Sequence, residues 1–143
     1  MMKNLYEVFD EFEKAPTKQD KIDVLRNNNT YALREVLKGT FNPNIQFTVT
    51  STPLYKPSDA PIGLGYSSIH QELSRVYLFE KDNPNVSSNL SDKRKEQILI
   101  QILECLEAKE AEIYMNMLLK KQRIKGLTSN IVREALPFLL PTT

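Results

Sequence analysis

A chain of 143 residues that is 41% apolar and 26% charged is one ordinary globular domain, with enough apolar side chains for a core, and this composition excludes a disordered polymer. Its formal net charge of +1, from 19 basic and 18 acidic residues, excludes a partner chosen by bulk charge, so any electrostatic argument has to be local. A single cysteine, Cys105, excludes an intrachain disulfide and fits a reducing, cytoplasmic compartment; no run approaches the roughly 18 apolar residues of a membrane span, and the opening MMKNLYEVFDEF lacks the apolar centre of a secretion signal.

In chain order the apolar residues recur with helical spacing. Leu5, Val8, Phe9 and Phe12 predict an amphipathic helix over 3–14, stopped by Pro16 and acidic outside through Glu7, Asp10, Glu11 and Glu13. Thr17 followed by Asp20 marks the start of a second helix, with Ile22, Val24 and Leu25 inside and Asn27, Asn28 and Asn29 as its stop. Thr30 caps a third, whose inner side is Ala32, Leu33, Val36 and Leu37, and Gly39 marks its end.

Residues 40–66 then carry four prolines (Pro43, Pro53, Pro57 and Pro61) and form an irregular proline-rich arm. Ile45–Val49 has the alternation of a brief strand without an evident partner, and Phe41, Ile45, Phe47, Leu54 and Tyr55 are the residues expected to pin the arm down. Ser67 or Ser68 caps a fourth helix through Ile69, Leu73, Val76 and Tyr77. After a polar connection over 81–90, Ser91 and Asp92 open the most strongly patterned helix, whose broad apolar face (Ile98, Leu99, Ile102, Leu103, Leu106) predicts the central core element. A sixth helix over 108–121 pairs with it as an antiparallel hairpin, and a last short helix follows. The fold class is all-α, a single domain of six to seven helices over 1–143 with that one irregular arm.

The sequence carries no recognisable catalytic pattern. Neither a Gly-x-Gly-x-x-Gly nor a Gly-x-x-x-x-Gly-Lys loop occurs, and Gly63-Leu64-Gly65 is too short to cradle a phosphate. His70 is the only histidine and has no second ligand at metal-binding spacing, so no metal is expected. Cys105, between Leu103 and Leu106, is expected to be an inert core thiol. The acidic pairs Glu107/Glu110 and Asp10/Glu13 have the spacing of one solvated helix face. The expectation is a non-enzymatic protein without cofactors.

Charge does concentrate in one place. Between Leu118 and Glu134 stand five cations (Lys120, Lys121, Arg123, Lys125 and Arg133) against the single anion Glu134. They surround Gly126 and a helix start at Thr128 or Ser129, whose helix has Ile131, Val132, Ala135 and Leu136 inside and stops at Pro137. Two readings fit this pattern: an anion site of cations and free N–H groups, or cations that merely suit the negative end of the preceding helix.

A resemblance bears on that choice. The blocks Lys18–Asn27 (KQDKIDVLRN), Ala32–Leu37 (ALREVL) running into Thr40–Phe47 (TFNPNIQF), the arm around Tyr55-Lys56-Pro57, and Lys125–Pro137 (KGLTSNIVREALP) follow one another in an order that resembles the N-terminal helical DNA-binding domain of T-even-phage-type ATP-dependent DNA ligases. They are also similar to a family of small uncharacterised proteins of T-even-like marine phages. The resemblance implies duplex DNA as partner, held through sugar–phosphate contacts at Gly126, Thr128, Ser129 and the adjacent cations, and a host-cell cytoplasmic location. Leu136 stands where the ligase pattern has tryptophan. The Lys-x-Asp-Gly motif of the adenylating part is absent, so ligase activity is not implied. The expected function is sequence-tolerant duplex binding by a phage accessory protein; the alternative is the same scaffold docking on a phage or host protein through its acidic first helix and proline arm.

Overall fold

The computed structural model describes residues 3–61 and 65–141; Gly63 and Leu64, and with them the middle of the Gly63-Leu64-Gly65 run, lie outside the described residues. The protein is all-α. Its helices are α1 (Leu5–Lys14), α2 (Lys18–Asn27), α3 (Tyr31–Phe41), α4 (Ile69–Glu72), α5 (Asp92–Cys105), α6 (Ala108–Leu118) and α7 (Ser129–Ala135), with a 3-10 helix, Leu73–Phe79, continuing α4. No described helix is long and apolar enough to cross a membrane.

Five of these helices start on a hydroxyl. Thr17, Thr30, Ser68, Ser91 and Thr128 each accept the backbone N–H three residues on, from Asp20, Leu33, Gln71, Arg94 and Ile131. Each such cap contributes about 1 kcal/mol by satisfying a donor the helix leaves orphaned.

The central element is α6, not α5. It packs against α1, α3, α4 and α5, whereas α5 has α6 as its main helical neighbour. The reason lies in its composition: Ala111, Ile113, Tyr114, Met115, Met117 and Leu118 are buried over most of the cylinder, leaving a narrow polar stripe of Lys109, Glu112 and Asn116, and a helix with so broad an apolar surface goes to the middle. The Tyr114 hydroxyl donates to the Glu72 carbonyl at 3.2 Å, and burial pushes its pKa up.

Three local expectations change. Gly39 does not end α3, which runs on to Phe41. A Cβ there would lie 2.8 Å from Met117 Cγ and Sδ, so the glycine leaves room for the Met117 side chain of α6 against α3. After α4 the apolar residues Leu73, Val76 and Phe79 repeat every three positions, which a 3-10 helix aligns on one line; Phe79 goes inside and Tyr77 stays outside. The segment around Phe47 does find a partner, a single antiparallel bridge to Glu80 with Thr48 N–H donating to the Phe79 carbonyl and Lys81 N–H to the Gln46 carbonyl.

The proline arm is held by Phe41, Phe47, Val49 and Tyr55 against the core, but Leu54 is 97% exposed and pins nothing. Its return is tied by Lys56 N–H to the Glu104 carboxylate (2.8 Å) and Ser67 N–H to the Cys105 carbonyl (3.0 Å).

The pair Glu107/Glu110 is buried rather than solvated, because both carboxylates cap helix starts. Glu107 accepts the N–H groups of Lys109 and Glu110 at the head of α6, and Glu110 accepts Ile69 N–H at the head of α4. Burial raises the Glu110 pKa above 4.5; the Ile69 N–H opposes this, and the Glu107 charge adds to it. A raised carboxyl pKa favours the folded state below the unfolded value, an advantage lost as pH rises through the folded one. The stability of Glu110→Gln relative to the natural protein is therefore expected to improve steadily from pH 4 to pH 7 in urea titrations, and a pH-independent difference would contradict this assignment.

Candidate functional site

The stretch after α6 is where the five cations separate into different roles. Helix α6 closes in a Schellman arrangement, Lys121 N–H to the Asn116 carbonyl (2.9 Å) and Lys120 N–H to the Met117 carbonyl (3.0 Å), with Lys120 in the left-handed region at φ 59°. That geometry turns the Lys120 side chain inward. Its ammonium donates to the carbonyls of Gly39 (2.8 Å), Asn42 (2.8 Å) and Ile45 (2.6 Å) and lies over the Phe47 ring, and its burial lowers its pKa. All three ammonium hydrogens are used on the end of α3 and the start of the arm. Lys120 is thus a structural clasp and does not present its charge to a phosphate, contrary to the expectation from its position in the basic run.

From Lys121 onward the chain is non-helical and alternates. Lys121, Arg123 and Lys125 are exposed; Gln122 and Ile124 are drawn inward, Gln122 donating to the Thr40 hydroxyl and the Ile113 carbonyl. The three cations form a short comb of alternate exposed side chains, and its last member, Lys125, belongs to the turn that Leu127 N–H closes on the Ile124 carbonyl at 3.1 Å. Gly126 follows at φ +85°, a conformation open to glycine, and Thr128 then caps α7 with Ser129 as its first residue. Arg133, further along α7, is half-buried with its Nε inside and unpartnered, so it stands apart from the comb.

Acids lie closer to this comb than the sequence suggested. The Glu13 carboxylate accepts Lys125 N–H at 3.0 Å, and Arg123 lines a hollow with Asp10, Glu13 and Glu112. The acidic face of α1 and the basic turn are neighbours. A phosphate site here is therefore partly countered, which favours weak and salt-sensitive binding.

Three further cations act on the same region without any local signal in the sequence. Lys21 donates to the carbonyls of Phe12 (2.8 Å) and Glu13 (3.3 Å) at the end of α1, and its side chain covers Gly126, whose Cβ would lie 3.6 Å from the Lys21 ammonium. Arg26 donates to the carbonyls of Glu134 (2.9 Å) and Ala135 (3.2 Å) at the end of α7, while Lys18 pairs with the Glu134 carboxylate at 2.9 Å. Lys21, Arg26 and Lys120 thus each place a positive group on the negative end of another helix, the preceding one for Lys21 and a distant one for Arg26 and Lys120. Together the first two lock α7 and the Gly126 turn onto α2.

Elsewhere the chemistry is spare. His70 is on the surface, edge-on to Tyr31 with ring centroids 5.0 Å apart, and Cys105 is free and half-buried. Among the described residues no group of three His, Cys, Asp or Glu side chains could hold a metal ion. Residues 8–125 match a family of unknown function, DUF6433. The chain belongs to that family. The match begins at Val8, inside α1, runs through α6 and the cation comb, and stops at Lys125, one residue before Gly126. No curated protein matches the chain.

Proposed function

We propose that the protein binds duplex DNA through the phosphate backbone, with little regard to base sequence and without catalysis. The observation that carries this reading is the comb of Lys121, Arg123 and Lys125, exposed at alternate positions and free of carboxylate ion pairs among the described residues. A cluster of exposed cations suits a polyanion. The Gly126 turn lets the backbone come close, and the Thr128 and Ser129 hydroxyls lie beside it. The block order similar to the ligase DNA-binding domain supports the same assignment, and with it an accessory role in a phage; without an adenylating motif the role is holding DNA rather than sealing it. Arg133 and Lys120 are left out of the contact set.

A fluorescence-anisotropy titration of a labelled duplex at several salt concentrations tests this. Three phosphate contacts give a slope of log K against log salt of about −2.7, and each of Lys121→Ala, Arg123→Ala and Lys125→Ala should reduce its size by about 0.9. No detectable binding at low salt sinks the reading. Protein docking on the same scaffold is then the better account, and Leu54 (97% exposed) and Tyr66 (90% exposed) favour it. Phe47 and Tyr55, aromatic residues of the same arm, are packed against the core and unsuited to it.

A further inference from the structure

We infer that the trough at the C-terminal end of α7 docks a protein segment with apolar anchors flanked by carboxylates. Of the six phenylalanines, Phe9, Phe12 and Phe79 are fully buried and Phe41 and Phe47 pack on the core, whereas Phe138 is 100% exposed. It is not the end of a loose tail. Leu139 packs on the core and Leu140 is buried, so the backbone on its C-terminal side is anchored and the ring is held out at the surface. Beside it Ala135, Leu136, Pro137 and Leu139 line a trough of about 470 Å³, within the size range of ligand sites.

The rim decides the occupant. Arg26 and Arg34 edge the trough, and neither guanidinium meets a carboxylate within ion-pair distance among the described residues. Both are nonetheless held in place, Arg26 by the carbonyls of Glu134 and Ala135, and Arg34 by the side chain (2.8 Å) and carbonyl (3.3 Å) of Asn29. Each keeps N–H groups over. Two pre-positioned guanidiniums above an aliphatic floor match an apolar side chain with an acid beside it, the combination in which arginine and aromatic groups dominate protein interfaces. A second copy of this chain is disfavoured, because a two-fold contact on this patch would set the same arginines against each other. A nucleic acid finds one exposed ring here and no stacking track. The inference does not depend on the duplex reading, which uses a different set of side chains.

The test is a selection of displayed random peptides on the full-length protein. Enriched peptides are expected to place Asp or Glu within a few residues of Phe, Leu or Trp. A synthetic peptide of that consensus should bind at least about tenfold more weakly to Phe138→Ser and to Arg34→Glu, both surface changes that leave the circular dichroism unaltered. Selection repeated on Arg34→Glu should shift towards Lys and Arg. No enrichment, a consensus without acids, or binding indifferent to both substitutions overturns the proposal. So does a dimer of the natural protein that Phe138→Ser dissolves in sedimentation, which would make the occupant a second copy, or a loss of oligonucleotide rather than peptide binding in these variants.

Discussion

Replacing Lys120 by alanine is expected to lower the unfolding free energy by about 3 kcal/mol, a large share of the stability of a domain this size. The ammonium holds three carbonyls from two segments that the sequence separates from it by 75 to 81 residues, and no other side chain replaces it there. Hydrogen bonds to a charged donor contribute roughly 1.5–3 kcal/mol each, and partial exposure of the group puts the sum well below three times that. The left-handed backbone at φ 59° supplies an internal control. Lysine and alanine both bear the strain of about 1–2 kcal/mol there, and glycine does not, so Lys120→Gly should be the milder substitution by about 1 kcal/mol. Urea midpoints at constant slope measure both. Equal losses for the two variants would argue against the left-handed turn, and losses under about 0.5 kcal/mol, the level of an ordinary surface change, would put the ammonium in water. If duplex is bound, Lys120→Ala should leave the salt slope unchanged, which separates this lysine from its three neighbours.

Gly65→Ala is expected to cost about 2–3 kcal/mol although it adds one methyl group. That methyl carbon would stand 2.7 Å from the backbone nitrogen of Glu107 and 3.1 Å from the Cys105 carbonyl oxygen. Both belong to the tight link between α5 and α6, where Leu106 and Glu107 are buried, so the obstacle is backbone and cannot rotate away. Relief requires the arm to lift, which strains the Ser67 N–H to Cys105 carbonyl bond and the start of α4 behind it. Thermal or urea unfolding reads the loss directly. A neutral substitution would mean that the arm does not lie against this link.

The local devices were legible in the sequence because they are local. Thr17, Thr30 and Ser91 start helices as expected, and α1 buries Leu5, Val8, Phe9 and Phe12 because spacings of three and four put them on one face. Reading failed where a neighbour in space set the outcome. Gly39 looks like a helix stop until Met117 is laid against it, and Glu107 and Glu110 look like a solvated stripe until two helix starts are found to need their oxygens. The broad apolar face of α5 points to a central place, which α6 takes because its own buried surface is broad enough to meet α1, α3, α4 and α5.

The basic run shows the same division most clearly. Composition and order alone determine that five cations, a glycine and a hydroxyl cap fall between residues 120 and 133, and that the fold around them is helical. Which cations remain available was decided only in three dimensions. Lys120 turns in to three carbonyls, Arg133 is half-buried, and Lys121, Arg123 and Lys125 remain outside with Glu13 beside them. The physical reason is that a free carbonyl at a helix end attracts a cation from any part of the chain that folding brings near, and periodicity in sequence holds no record of that distance.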